Sequence, residues 1–331
     1  MAGASMSTCV LELKNLTTAL FLDTGTTNVV DGVTLSVHRG ETLALVGESG
    51  CGKTMTAFSI LRLLPSSTAK IVGGNIMFEN RDLVSVTEKQ MRKIRGNKIS
   101  MIFQEPLTSL NPVLTIGEQI AETLRVHKKT PGKEARAHAS ALLESVGISS
   151  PEQRVRDYPH QLSGGMRQRV MIAMALACGP ELVIADEPTT ALDVTVQAQI
   201  MELLHALKEK QHMALILITH DLGVVAETAQ NVAVMYAGRV VEYADVTALF
   251  HNPLSPYTRG LLASLPGSGS RRLKPIKGMI PSVWELPGGC KFSSRCEQVC
   301  NKCLTDEPAL INHPTENDPN HLVRCWLYER T

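Results

Sequence analysis

The sequence has no long apolar run and no excess of charge of one sign. None of its apolar stretches reaches the roughly 18 residues that a membrane-spanning helix requires. Its 33 basic residues nearly balance 32 acidic ones, for a formal net charge of +1, which argues against a general attachment to nucleic acid. The first residues, MAGASMSTCVLELKNL, show neither the basic nor the apolar segment of a secretory signal. We therefore expect a soluble, cytoplasmic protein.

What the chain does have is apolar material for a large core, at 44% of 331 residues. Alternating residues at 10–16 and 33–38 predict half-buried antiparallel strands. Continuous apolar runs predict buried strands in four places: 42–47, 98–104, 182–186 and 214–219. Between Gln104 and Cys178 the pattern turns helical, and no internal repeat is visible. The sequence therefore predicts a single α/β core with an inserted helical block.

The composition changes again near the end of the chain. PGSGSRRLKPIKG, from Pro266, predicts a linker, and the last fifty or so residues hold five of the eight cysteines. In a reducing cytoplasm such clustering favours a metal over disulfides. The segment is too short for a substantial core, so we expect something other than burial to hold it together.

The stretch GESGCGKT fits the phosphate-binding pattern G-x-x-x-x-G-K-[ST], between a predicted strand and a predicted helix. Its glycines let backbone N–H groups surround phosphate oxygens at a helix N-terminus. Lys53 is expected to reach the β- and γ-phosphates, and Thr54 to bind Mg²⁺. The nucleotide-binding candidates are therefore Gly47, Glu48, Ser49, Gly50, Cys51, Gly52, Lys53 and Thr54.

LVIADE, residues 182–187, is a predicted buried strand that ends in two acids. In this position Asp186 would lie beside Mg²⁺, and Glu187 would polarise a water that attacks the γ-phosphate. The alternative is that the two acids only cap the next helix.

LSGGM, residues 162–166, predicts a second helix N-terminus able to bind an anion. One nucleotide hardly needs two such sites on one chain unless two chains share it. With this motif the sequence resembles an ATP-binding cassette (ABC) ATPase over about residues 8–265. Three further motifs of that family are present in order: the Q-loop at Gln104, the D-loop at ALD (191–193) and the switch histidine at His220.

The resemblance implies a fold and a set of roles. The fold is an α/β P-loop core with an antiparallel β-subdomain and a helical subdomain at about 105–178. Two cassettes would enclose two ATP molecules, each phosphate loop facing the partner's signature motif. The implied roles are contact with the partner's γ-phosphate for Ser163 and Gly165, with Gly164 as a further nucleotide-binding residue of the same motif. Hydrolysis is assigned to Glu187, His220 and Gln104, Mg²⁺ binding to Thr54, Gln104 and Asp186, and coupling of the two sites to Asp193. Phe21 is the aromatic candidate for stacking on adenine.

The rest of the chain resembles the carboxy-terminal extension of ATPases from bacterial dipeptide, oligopeptide and nickel importers. The matching features are C-x-F-x-x-R-C, EPAL and four cysteines, Cys290, Cys296, Cys303 and Cys325. Cys300 is extra, and Glu297 replaces the usual proline. The resemblance implies a [4Fe–4S] cluster on those four thiolates. Zinc is the nearest alternative, and unliganded thiols or a disulfide remain open.

We therefore expect an ABC nucleotide-binding domain at 1–265, a linker at 266–282 and a Cys-rich extension at 283–331. The expected function is ATP hydrolysis that powers import of di- or oligopeptides, with nickel or another small solute as the alternative. The implied partners are a second ABC ATPase subunit, two transmembrane permeases and an extracytoplasmic substrate-binding protein, at the cytoplasmic face of the inner membrane. Two other classes remain, a soluble ABC ATPase acting on nucleic acid or ribosomes, and a metal-binding regulator.

Overall fold

A computed structural model describes residues 8–23, 25–190, 192–264, 276–316 and 318–329. The first ten residues of the predicted linker and Ala191 of the ALD motif lie outside these ranges. The chain forms two compact units. The described residues of the first come from Met1–Val10, His38–Glu41 and Ser85–Leu217, and those of the second from Leu11–Val37, Thr42–Val84 and Ile218–Thr331.

Twelve strands and twelve α-helices lie within the described ranges. The strands are β1 Cys9–Leu22, β2 Gly25–His38, β3 Thr42–Val46, β4 Ala69–Phe78, β5 Arg81–Asp82, β6 Ile99–Ile102, β7 Leu182–Asp186, β8 Ala214–Ile218, β9 Asn231–Tyr236, β10 Arg239–Asp245, β11 Ile311–Asn312 and β12 Leu322–Val323. The helices are α1 Lys53–Leu61, α2 Glu88–Arg92, α3 Pro106–Ser109, α4 Ile116–Lys128, α5 Gly132–Ser145, α6 Pro151–Arg154, α7 Gly164–Leu176, α8 Val194–Gln211, α9 Leu222–Thr228, α10 Val246–His251, α11 Pro256–Ala263 and α12 Asn301–Thr305. None of the described helices has the length and apolar character needed to cross a membrane.

The first unit contains the predicted helical block. Strands β6 and β7 pair in parallel, with Ile99 opposite Leu182, and every described element between them is helical, from α3 to α7. Helix α4 begins where Thr115 accepts a hydrogen bond from the backbone N–H of Glu118, the usual chemistry of a helix start. The segment between Gln104 and Cys178 is thus helical, as its pattern predicts, while the bounds of a helical subdomain stay a prediction.

The second unit contains a four-stranded antiparallel sheet in the order β2-β1-β4-β5. The two predicted strands proved to be parts of β1 and β2, which are 14 residues each. Strand β4 was missed because its glycine pair breaks the alternating pattern. Gly74, with φ +79°, lies where the pairing of β1 with β4 shifts register, and a Cβ there would be 2.4 Å from the carbonyl oxygen of Asn15.

Five neighbouring strands of a second sheet lie in the same unit, in the order β11-β12-β10-β9-β3. The strands β11 and β12 belong to the Cys-rich extension, and β12 pairs with β10 through Glu242 and Val323. The carboxylate of Glu242 accepts hydrogen bonds from the backbone of Leu254 and Ser255 and lies 2.7 Å from the buried ring nitrogen of His321. Burial and strand pairing thus contribute to holding the extension, and the expectation that something besides burial holds it together stays a prediction.

Candidate functional site

The GESGCGKT loop joins the buried strand β3 to helix α1. No side chain caps this helix, whose first residue is Lys53. Gly47 has φ +146°, and a Cβ there would lie 2.3 Å from the carbonyl oxygen of Met235. At Gly52, with φ +107°, a Cβ would lie 2.6 Å from the carbonyl oxygen of Val29. Glycine is therefore required at both positions, and the helix N-terminus keeps the bare backbone that phosphate binding uses.

The side chain of Lys53 lies across this loop and is 6% exposed. Its Nζ donates to the carbonyl oxygens of Gly47 at 2.7 Å and Glu48 at 3.1 Å. An ammonium has three donors, and the nearest further acceptor is Cys51 Sγ at 3.8 Å, a weak acceptor that a phosphate oxygen would displace. The loop thus positions a cation whose remaining hydrogen-bonding capacity suits an anion.

Cys51 is buried within the loop, at 1% exposed. Burial raises the pKa of its thiol, and the charge of Lys53 offsets this only in part. Because the thiolate is the reactive form, the thiol is protected from oxidants and electrophiles.

The predicted acidic pair lies where β7 ends. Asp186 is the last residue of the fully buried strand and is 3% exposed. Glu187 follows with φ +45°, a sparsely populated backbone conformation for a residue other than glycine. One oxygen of its carboxylate, Oε2, accepts hydrogen bonds from Gln104 Nε2 and from Thr190 Oγ1, each at 2.9 Å. Two donors therefore fix the orientation of this carboxylate, and the sequence prediction had identified one of them.

The LSGGM motif forms the start of α7, as predicted. Ser163 is the N-cap and accepts a hydrogen bond from the backbone N–H of Met166. A Cβ on Gly165 would be 2.9 Å from the Val196 side chain of α8. Asp193 caps α8 through a 2.9 Å hydrogen bond from the backbone N–H of Val196. The fold thus places the predicted signature and D-loop residues at the starts of two neighbouring helices.

The remaining nucleotide-site candidates belong to the second unit. Thr54 is the second residue of α1, directly after Lys53. His220 follows β8 in an exposed turn before α9. Phe21 is 39% exposed near the end of β1, with Lys70 Nζ 5.8 Å from its ring centre. Its role as the adenine-stacking residue stays a prediction.

Two residues that the sequence prediction did not assign contact the phosphate loop. The backbone N–H of Glu48 donates to the hydroxyl of Tyr257 at 3.0 Å. The carboxylate of Glu48 accepts two hydrogen bonds from Arg295, at 2.6 and 2.9 Å. The arginine of C-x-F-x-x-R-C was visible in the sequence, but no local pattern connects it with residue 48.

The four cysteines assigned to a metal line one cavity of about 30 Å³ in the second unit. Exposed Cys300 does not line it, although its Sγ is 3.4 Å from that of Cys303. Burial raises the pKa of Cys290 and of Cys325 to about 11 each, so these thiols are protonated at neutral pH. As they stand, the described residues contain no group of three or more His, Cys, Asp or Glu side chains that could hold a metal ion. The cysteine ligands therefore stay a prediction.

Comparisons with known proteins agree with this geometry. Residues 30–190 match the ABC transporter family, and residues 241–303 match the oligopeptide/dipeptide transporter C-terminal region. The ATP-binding cassette MJ0796, solved as a dimer in a post-hydrolysis state bound to ADP and Pi, is 29% identical and has a TM-score of 0.64. The match covers 71% of this chain and 98% of that one. The fold and the site thus define an ABC ATP-binding cassette.

Relatives of nearly the same length give the narrower assignment. The oligopeptide transport ATP-binding protein AppD of Bacillus subtilis is 55% identical over 326 residues, 98% of each chain. The dipeptide transport ATP-binding protein DppD of the same organism is 48% identical, over 97% of this chain and 95% of its own. The chain belongs to this family of ABC transporter ATP-binding proteins.

Proposed function

We propose that this chain hydrolyses ATP to power the import of di- or oligopeptides. The observation that carries the proposal is the arrangement of Glu187, which follows a buried strand and whose carboxylate is oriented by Gln104 and Thr190. A carboxylate held in this way suits a general base that activates water. The phosphate loop with Lys53 supplies an anion site of the type that a nucleoside triphosphate requires.

Each predicted residue then takes a role in one catalytic cycle. The phosphate loop and Lys53 bind the β- and γ-phosphates, and Thr54, Gln104 and Asp186 hold Mg²⁺. Glu187 positions the attacking water, and His220 keeps the γ-phosphate in register with it. The position of Asp186 at the carboxyl end of the buried strand β7, directly before Glu187, supports its assignment.

A second cassette would complete each site. Ser163 and Gly164 are exposed at the start of α7, which leaves them accessible to a nucleotide on a partner cassette. Asp193, at the start of the neighbouring helix, would couple the two sites. The similar cassette MJ0796 was solved as a dimer, which supports this arrangement.

Peptides are the favoured substrate because the relatives are described as oligopeptide and dipeptide transport proteins. This supports peptide import over nickel import and over action on nucleic acid or ribosomes. The proposed partners are a homologous second ATPase subunit, two transmembrane permeases and an extracytoplasmic binding protein. The chain would attach to the cytoplasmic face of the inner membrane through the permeases.

The extension would hold a [4Fe–4S] cluster through Cys290, Cys296, Cys303 and Cys325. Support comes from the donor set, since these four thiols line one cavity and Cys300 does not. Zinc is the alternative that the same donors allow. A bound metal would deprotonate the thiols and add to the strand pairing that holds the extension.

Transport in a strain that lacks the gene tests the proposal. Wild-type chain should restore uptake of labelled di- or oligopeptide, and Glu187→Gln should not, although it should be present at the same level. If the chain restored nickel uptake and not peptide uptake, the transported substrate would be nickel, the alternative. Restoration of peptide uptake by Glu187→Gln would refute ATP hydrolysis by this site as the driving reaction.

A further inference from the structure

The Cys-rich extension contacts the phosphate loop directly, through an ion pair between Arg295 and Glu48. Arg295 Nη1 lies 2.6 Å from Glu48 Oε2, and Nη2 lies 2.9 Å from Oε1. The two residues are 247 positions apart in sequence. Paired hydrogen bonds of this type fix both distance and orientation, which a single contact between two point charges does not.

The surroundings of Arg295 show a position built for an arginine. Its side chain is 4% exposed, and it also donates to the carbonyl oxygens of Lys277 at 2.9 Å and Gly278 at 3.1 Å. The guanidinium also lies 5.8 Å from the ring centre of Tyr236 and 6.0 Å from that of Phe292. A lysine could supply the charge at this position but not this set of contacts.

Glu48 is held on all of its polar groups. Its N–H donates to Tyr257, its carbonyl oxygen accepts from Lys53, and its carboxylate accepts from Arg295. Because the carboxylate and this carbonyl oxygen belong to one residue, loss of the Arg295 contact removes one of the constraints on the carbonyl oxygen that orients the Lys53 ammonium. Because Lys53 is the cation proposed to meet the phosphates, the geometry of the ion pair is transmitted to the nucleotide site.

The same contact continues to the cysteine cavity. Arg295 directly precedes Cys296, which lines that cavity together with Cys290, Tyr257 and Phe292. The Phe292 ring packs against Tyr257, with ring centres 5.3 Å apart. Phe292 therefore packs against Tyr257 and Arg295, two of the three groups that hold Glu48.

We propose that Arg295 is a positioning residue for the phosphate loop, and that the Cys-rich extension contributes to ATP affinity through its contact with Glu48. This inference rests on the proposed function, since it presupposes that the loop binds ATP. It assigns to the extension an effect on nucleotide binding in addition to any metal that it holds.

The test is ATP affinity of the full-length chain, measured by displacement of a fluorescent ATP analogue. Arg295→Gln should raise the Kd for ATP about tenfold, the effect expected when one buried charge-assisted contact is lost. Arg295→Lys should raise it about threefold, because the charge stays and the paired geometry is lost. The double variant Arg295→Gln/Glu48→Gln should bind ATP with a Kd no more than about twofold above that of whichever single variant binds ATP less tightly. The reason is that both changes break the same contact.

Arg324→Gln is the matched control. This arginine also lines the cysteine cavity, but it donates to the carbonyl oxygens of Val240 and Pro308 and does not contact Glu48. Its Kd for ATP should stay within about twofold of wild type. An equal loss in Arg324→Gln and Arg295→Gln would overturn the inference in favour of general loosening, and so would an unchanged Kd in Arg295→Gln.

Folding is checked by thermal unfolding of each variant. If Arg295→Gln does not fold, Arg295→Lys decides, and a Kd equal to wild type in that variant overturns the inference. Failure of the wild-type chain itself to bind ATP would refute the proposed function, an outcome distinct from either of these.

Discussion

Gln104 Nε2 donates a hydrogen bond to Glu187 Oε2 over 2.9 Å, across 83 positions of sequence. The bond joins the residue two positions after β6 to the residue directly after β7. Because β6 and β7 are parallel neighbours, their carboxyl ends meet at one edge of the sheet. The alignment of two short strands therefore determines how the proposed catalytic carboxylate is oriented.

Glu187→Gln should lower the rate of ATP hydrolysis by about 10² to 10⁴-fold, because an amide cannot accept a proton from water. ATP binding should persist, since the phosphate loop is unchanged. Phosphate release and ATP affinity of the same preparation check both halves of the prediction. Hydrolysis at the wild-type rate would show that another group is the base.

Thr190→Val should lower kcat about three- to tenfold with little change in KM for ATP. The valine removes the Oγ1 donor to Glu187 and preserves side-chain volume, while Gln104 still holds the carboxylate. Steady-state kinetics on the assembled transporter measure the two constants. Thr189→Val, at the adjacent position, is the control; a similar loss in both variants would mean that the effect comes from local packing.

Gly47→Ala should destabilise the chain by about 2–4 kcal/mol and abolish ATP binding, because its Cβ would collide with the Met235 carbonyl oxygen. Gly40→Ala separates this clash from backbone strain. Gly40 also has positive φ, +75°, but a Cβ there meets nothing within 4 Å. It should cost only about 1–2 kcal/mol. Chemical denaturation of the two variants gives the comparison, and equal losses would contradict the steric account.

Cys51 should resist alkylation far better than the exposed Cys9 at pH 8. Since burial raises the pKa of Cys51, its thiolate fraction at a given pH is below that of an ordinary cysteine and increases only as pH rises further. Timed labelling with iodoacetamide followed by peptide mass analysis measures each site. Equal rates at both cysteines in the folded chain would show that the loop opens readily.

Metal content should depend on Cys296 and not on Cys300. Protein purified without oxygen should contain about four irons and four sulfides per chain, lost in Cys296→Ser and retained in Cys300→Ser. Iron, acid-labile sulfide and zinc analyses distinguish a cluster from zinc. Absence of all three from wild-type protein would mean that the extension is held without a metal, by burial and strand pairing.

Several features could be predicted from the sequence because they are encoded over short distances. The apolar run of β3, the glycines of residues 47–52 and Lys53 are neighbours in the chain, and their order identifies a phosphate loop. The uniform apolarity of β7 before Asp186 and Glu187 is equally local. Strand β4 was missed because its glycines lie where its pairing with β1 shifts register. That need for glycine is set by the partner strand and not by the local sequence.

The tertiary structure alone decided which distant residues meet. These contacts leave no periodic signal in the sequence, because each is created when separate segments pack together. They are the hydrogen bond from Thr190 to Glu187, the hydrogen bonds of Glu48 with Arg295 and Tyr257, and the pairing of β12 with β10. Local patterns specify what a segment can form and which chemistry it carries. The orientation of that chemistry depends on hydrogen bonds from distant parts of the chain, which only the packed fold supplies.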